Sequence, residues 1–184
     1  MMKKGIVQGF YGLGKGKTSA AVGQALREAS EGQHITIIQF LKGKVADEFQ
    51  VLKKLEPDVQ IFRFDQSEVS YCELSLQEKE EEKQNILNGF HYAKKVVETG
   101  EGDVIILDEL LGLIDLGIID TDDVVELLEY PGDYRKLFIT GNSLEEALIP
   151  FIDVICEITP IKDNTSPIMR SVVFLIVKVE ARTL

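Results

Sequence analysis

Short apolar runs of strand length alternate along the chain with longer segments whose apolar residues recur at helical spacing. Residues 5–11 read as a first strand, and residues 18–29 as a helix with Ala21, Ala25 and Val22 on its buried face. The β-branched run Ile35-Thr36-Ile37-Ile38 centres a second strand over residues 34–40, and residues 59–64 read as a third. Val104-Ile105-Ile106-Leu107 is uniformly apolar, the pattern of a strand buried on both faces of a parallel sheet. Residues 137–140 and 153–158 supply two more.

The clearest helix lies between the third and fourth strands. Ser75-Leu76-Gln77-Glu78 has the form of a capping box, in which a hydroxyl and a carboxylate satisfy the exposed amides of a first turn. Ile86, Phe90, Ala93 and Val97 follow at helical spacing, and Gly100 is placed to end the helix. The run Glu78-Lys79-Glu80-Glu81-Glu82-Lys83 reads as its solvated face rather than a metal site. Strands alternating with helices predict an α/β fold, with a mostly parallel sheet of about five or six strands and helices on both faces. No internal repeat or low-complexity linker interrupts it, so residues 1–184 read as one domain. Its 163–184 segment is atypical, and residues 169–184 read as an extra apolar strand.

The 184 residues include 20 Lys+Arg and 31 Asp+Glu, a net charge of −11. That balance argues against nucleic acid as a bulk partner, since affinity for phosphate backbones comes from basic surfaces. The charge is uneven. Residues 1–46 carry seven basic and two acidic residues, whereas the remainder carries thirteen and twenty-nine. A basic N-terminal segment in an acidic chain points to a confined anion site such as one for a nucleotide triphosphate. Cys72 and Cys156 are far apart and form no zinc or disulfide pattern. No secretory leader is legible, and the apolar run 172–177 is too short to span a bilayer, so a cytoplasmic protein without a membrane partner is expected.

Gly12-Leu13-Gly14-Lys15-Gly16-Lys17-Thr18 directly follows the first strand and opens the first helix, the context that a phosphate-binding loop requires. Glycines let successive amides turn toward phosphate oxygens, and the helix N-terminus adds partial positive charge. Lys17 is suited to neutralise a terminal phosphate and the Thr18 hydroxyl to ligate Mg²⁺. The usual G-x-x-x-x-G-K-[ST] spacing would place its first glycine at position 11, which is Tyr11; the loop is therefore one residue short. The fourth strand ends in Asp108-Glu109, and carboxyl ends of strands are where open α/β sheets bind ligands. Either carboxylate could hold Mg²⁺, directly or through water, or cap the segment that follows. Together these features predict a nucleotide-binding protein with a P-loop NTPase-like fold.

Four segments in order resemble the P-loop type of ATP:corrinoid adenosyltransferases. They are Gly12-Leu13-Gly14-Lys15-Gly16-Lys17-Thr18-Ser19-Ala20-Ala21 with Arg27 nine residues after Thr18, then Gln39-Phe40-Leu41-Lys42-Gly43, then Leu107-Asp108-Glu109-Leu110, and finally Ile139-Thr140-Gly141 followed by residues 153–157. The resemblance runs from about residue 5 to residue 162. It implies transfer of the 5′-deoxyadenosyl group of ATP to a cob(I) corrinoid with release of triphosphate, in cobalamin biosynthesis or salvage. It also implies a homodimer and a reductase supplying Co(I). Gly12, Leu13, Gly14, Lys15, Gly16, Lys17, Thr18, Ser19 and Arg27 would bind the nucleotide; Thr18, Asp108 and Glu109 would serve Mg²⁺; Lys17 and Glu109 would act in catalysis. Since Co(I) is itself a strong nucleophile, no Ser, Cys or His needs activation, and His34 and His91 stand in no motif.

The chain departs from the family pattern in four places. Leu13 stands where the family has Asn, and Asn142 where it has a phosphate-binding Arg. The aromatic Gly-Phe-Thr-Trp segment associated with corrinoid coordination is missing, leaving Phe62, Phe64 and Tyr71 in that region, and the basic tail after Lys162 is absent. These departures are what a non-catalytic nucleotide- or corrinoid-binding relative would show. Retention of Lys17, Thr18, Asp108 and Glu109 favours the enzyme. An ordinary P-loop kinase or ATPase would carry the longer loop and lid arginines.

Overall fold

In chain order the elements are β1 (Ile6–Tyr11), α1 (Lys17–Ala29), β2 (Ile35–Gln39), β3 (Val59–Arg63), α2 (Leu76–Thr99), β4 (Val104–Asp108), α3 (Leu110–Asp115), α4 (Thr121–Glu129), β5 (Lys136–Gly141), β6 (Val154–Glu157) and β7 (Val179–Ala181). The computed structural model describes residues 5–41, 51–67, 69–162 and 179–181. The strands form one sheet in the order β3-β2-β4-β5-β1-β6-β7. The first six run parallel, and β7 closes the β6 edge in antiparallel pairing. Of the segment 169–184 read as an extra strand, only residues 179–181 are described, and they form β7. Residues 163–178, and Lys42 and Gly43 of the second family segment, lie outside the described residues.

Alternation along each strand divides the core into two layers. Val7, Ile38, Phe40, Ile105, Leu107, Leu137 and Ile139 face α2, α3 and α4, where they meet Ile86, Phe90, Ala93, Leu110 and Leu127. Phe10, Ile35, Ile37, Val104, Ile106 and Phe138 face the other way, onto Ala21, Val22 and Ala25 of α1. Both faces of β2 and β4 are therefore covered, which is why these strands read as unbroken apolar runs. The small residues of α1 let it lie close on the sheet. A half-buried Glu28–Lys136 ion pair of 2.5 Å ties its last turn to β5.

The helix expected to start at Thr18 starts at Lys17. The capping box at Ser75 and Glu78 is present, and its hydrogen bonds lower the Glu78 carboxyl below its ordinary value. One reading of α2 is corrected. Glu82 is not on the solvated face but only 7% exposed, because it lies one turn before Ile86 on the same buried stripe. The short helices α3 and α4 have no counterpart in the sequence reading. α4 opens with a capping box built from Asp120 and Asp123 in place of the Ser–Glu pair.

Tyr134 fills the base of the core beside Gly5 and Gly132, where added Cβ atoms would come within 2.5 and 2.8 Å of its ring. Its buried hydroxyl has no hydrogen-bond partner among the described residues. Burial, with a smaller contribution from the Asp153 charge, pushes its pKa up to about 12. The phenolate is disfavoured in the fold, so this contribution to stability is complete below the ordinary value near 10 and lost as pH rises toward 12. Tyr134→Phe should unfold in urea within about 1 kcal/mol of wild type at pH 7, since it removes a hydroxyl that makes no bond, and should lose less stability than wild type above pH 10. A neutral-pH loss much larger than that would mean the hydroxyl has a partner.

Candidate active site

The chain leaves β1 at Tyr11 and must turn sharply to start α1. Gly12 makes the turn with φ 126°, and a Cβ there would stand 2.3 Å from the Ile158 carbonyl oxygen. Gly14 passes so close to Pro160 that a Cβ would meet its Cδ at 2.4 Å. Their amides close the loop on its neighbours: Gly12 N–H donates to the Asn142 carbonyl at 3.1 Å and Gly14 N–H to the Ile158 carbonyl at 3.4 Å. Gly16 then opens α1 with no side-chain cap, and the first turn carries no acid. The amides of Lys17, Thr18 and Ser19 therefore lack intrahelical partners. They face a cavity of about 480 Å³ lined by Leu13, Gly14, Lys15, Gly16, Lys17, Thr18, Ser19 and Glu109. A helix N-terminus whose first amides are not used within the helix, with two lysines beside it, suits a polyanion.

Lys17 is 6% exposed and folds back under the loop. Its Nζ donates to the carbonyl oxygens of Gly12 (2.7 Å) and Gly14 (2.9 Å), and to Asn142 Oδ1 at 3.1 Å. Asp108, fully buried, gathers the strand ends. Its Oδ1 accepts from the hydroxyls of Thr18 (2.7 Å) and Thr140 (2.8 Å), and its Oδ2 from Gln39 Nε2 at 3.2 Å. Thr140 in turn accepts the Glu109 N–H at 2.8 Å. The Thr18 hydroxyl and the Asp108 and Glu109 carboxylates form a hard oxygen donor set. It fits Mg²⁺, which is commonly held by one or two carboxylates together with substrate phosphates. Among the described residues no group of three or more His, Cys, Asp or Glu could make an all-protein metal cage.

Among the described residues two non-glycine residues adopt the left-handed conformation, Leu41 (φ 57°) and Glu109 (φ 62°). They follow the adjacent strands β2 and β4, so the local strain, of order 1–3 kcal/mol each, sits at the site. Gly112 makes room for this arrangement, since a Cβ on it would be 2.9 Å from Leu41 Cδ1. Beyond them opens a second cavity of about 300 Å³, bounded by Leu41, Ser70, Tyr71, Cys72, Glu109 and Leu116, among others. Glu109 lines both cavities.

The expected loop residues Gly12 to Ser19 thus assemble with Asp108 and Glu109. Arg27 is not brought to them; it is exposed in the last turn of α1, roughly 14 Å of helix rise from Thr18. Asn142 reaches the loop and contacts Lys17. Gln39 and Thr140 are site residues to which the sequence pattern assigns no role. Their signal was a polar side chain ending an apolar strand, and Gln39 is the register partner of Asp108. Ser70 and Cys72 carried no sequence signal.

A parallel sheet whose first strand turns through a glycine-lysine loop into an uncapped helix, with an acid-tipped strand beyond its neighbour, defines a P-loop NTPase-like α/β protein. A family model described as ATP:corrinoid adenosyltransferase BtuR/CobO/CobP matches residues 3–170, and the chain belongs to that family. It is 27% identical over 160 residues to the corrinoid adenosyltransferase of Escherichia coli K12, covering 87% of this chain and 79% of that protein. It is 26% identical over 160 residues to the corrinoid adenosyltransferase CobA of Salmonella typhimurium LT2, with the same coverage. The corrinoid adenosyltransferase of Pseudomonas aeruginosa is 22% identical over 166 residues, covering 87% of this chain and 77% of that protein. No helix among the described residues is long and apolar enough to cross a membrane.

Removing the Lys17 ammonium should weaken MgATP binding by roughly 10- to 100-fold, the range for hydrogen bonds to a charged group. Calorimetry on Lys17→Ala checks this, and unchanged affinity would reject the loop assignment. Asn142→Arg places a second cation beside Lys17. It should lower the thermal midpoint of the ligand-free protein and tighten tripolyphosphate binding by about 10-fold through charge-assisted bonding. Unchanged tripolyphosphate affinity would show that position 142 does not reach the anion.

Proposed function

We propose that this protein transfers the 5′-deoxyadenosyl group of ATP to the cobalt of a reduced cob(I) corrinoid, releasing triphosphate. The observation that carries this reading is the pair of cavities that meet at Glu109, one floored by the glycine-lysine loop and the other by Leu41, Tyr71 and Leu116. The first suits a polyphosphate. The second, where Leu41, Tyr71 and Leu116 face a rim of Ser70, Asp115 and Asn142, suits the edge of a large macrocycle, and the reacting carbon would lie between them.

In this reaction the Co(I) electron pair attacks C5′ of ATP, a Co–C bond forms as the C5′–O5′ bond breaks, and the leaving electron pair goes to triphosphate. No protein base is required, which accords with the histidines: His34 and His91 are exposed, away from both cavities. The protein's task is to stabilise charge on the leaving group. Lys17 exchanges its contacts with the Gly12 and Gly14 carbonyls and Asn142 for phosphate oxygens, and the α1 amides add donors held in place before the ligand arrives. Lys15, exposed on the same loop, supplies a second positive charge. Mg²⁺ held by Thr18, Asp108 and Glu109 would neutralise further charge on the triphosphate. Glu109, at the junction, orients the two substrates toward each other.

A non-catalytic relative is the second reading, favoured by Asn142 in place of the family arginine. One experiment separates the two. Anaerobic incubation with MgATP and chemically reduced cob(I)alamin should yield adenosylcobalamin, followed by its cobalt spectrum, with one intact triphosphate released per turnover. ATP binding without alkyl transfer to cob(I)alamin or its incomplete corrinoid precursors would support the non-catalytic reading.

A further inference from the structure

Between β3 and α2 the described residues hold little regular structure, a single turn of 3₁₀-helix at Tyr71–Glu73, yet they supply Ser70, Tyr71 and Cys72 to the second cavity. Such a segment needs a fixed point to present a wall. At its start, Phe64 lies against Gly89 of α2, where a Cβ would come within 2.9 Å of the Phe64 side chain, and stacks obliquely on Tyr92 with ring centroids 5.5 Å apart. At its end is the Ser75 cap.

The middle is held by Glu82, which reaches out from the buried stripe of α2. Its Oε1 accepts the backbone N–H of Gln66 at 2.9 Å and of Ser67 at 3.3 Å. Its Oε2 accepts from Asn85 Nδ2 at 3.2 Å. One turn earlier, the Lys79 carbonyl accepts the Tyr71 hydroxyl at 3.3 Å. Asp65, paired with Arg63 at 2.9 Å, is packed close by, and its carboxyl is raised by burial and by the neighbouring Glu82 charge. Two carboxylates thus sit together where an apolar residue would pack at least as well, and a buried charge adds little net stability. What Glu82 adds is direction: two consecutive amides are aimed at one oxygen, which fixes the path of the chain just before the cavity wall.

We infer that Glu82 is a positioning residue for the corrinoid acceptor, holding the wall formed by Ser70, Tyr71 and Cys72 through the amides of Gln66 and Ser67. The inference rests on the adenosyl-transfer reading for the identity of the acceptor, but the anchoring itself does not. Two readouts separate them. Amide hydrogen exchange on the ligand-free full chain measures the anchor. Steady-state kinetics with MgATP and cob(I)alamin measure its effect.

Glu82→Ala should raise exchange at residues 66, 67 and 69–74 by roughly 10- to 100-fold, the equivalent of losing charge-assisted hydrogen bonds, while the amides of α1 and the MgATP dissociation constant stay unchanged. The KM for cob(I)alamin should rise about 10-fold or more, with the KM for ATP unaltered. Glu82→Gln keeps an acceptor oxygen and the side-chain volume but removes the charge, so it should show a smaller but measurable rise in exchange and in KM, and it serves if the alanine variant fails to fold. Unchanged exchange in both variants overturns the anchor. Raised exchange with an unchanged corrinoid KM overturns the role in acceptor positioning. If the wild type transfers no adenosyl group, the function reading fails, and a rise in exchange at residues 66–74 still supports the anchor.

Discussion

The Asp108 carboxylate is the interaction on which the site depends. A fully buried carboxylate costs several kcal/mol unless its oxygens are satisfied, and here two strands and a helix are recruited to satisfy them. Thr18 brings the start of α1, Thr140 the end of β5, and Gln39 the end of β2. A slip of one residue in any of those strands would turn the polar side chain to the opposite face of the sheet. The carboxylate therefore enforces the register that places the loop after β1, the left-handed Glu109 and the Asn142 segment around one opening. The apolar layers above and below supply the stability; this one group supplies the alignment.

Strain is placed where that alignment is used. The left-handed residues Leu41 and Glu109 follow neighbouring strands, and both line the second cavity. Relaxing either into an extended or helical conformation would redirect its side chain away from the opening. Glu109 is held by its own amide bond to Thr140, which is itself tied to Asp108. The boundary between the two cavities is thus an extension of the same hydrogen-bonded cluster.

The first half of this arrangement was legible in the sequence because it rests on local rules. Glycine spacing, the strand before it and the helix after it give the loop, and an apolar run ending in acids gives β4. The parallel sheet follows from the alternation of elements. What was not legible depends on contacts distant in sequence. Glu82 lies in a charged run that reads as solvent-facing, and only its phase relative to Ile86 and Phe90 puts it inside. Arg27 was assigned by resemblance to the phosphates, but a helix leaving the loop carries a residue nine positions on to its far end. The wall of the second cavity comes from an irregular segment whose path is set by α2, so Ser70 and Cys72 leave no periodic trace. The helices α3 and α4 are short, six and nine residues, and fall below the length at which periodicity distinguishes them.

The folded-back Lys17 has a consequence for selectivity. Its ammonium is already solvated by two carbonyls and an amide oxygen, so an incoming anion gains only the difference between phosphate oxygens and those acceptors. A single phosphate brings few oxygens to that exchange. In the proposed reaction a chain of three phosphates would engage the helix amides, Lys15 and Lys17 at once, and so would overcome what the loop gives up. The loop would thereby keep its shape at modest cost while discriminating against small anions, and the same internal solvation would leave Lys17 an alternative set of partners once a polyphosphate departed.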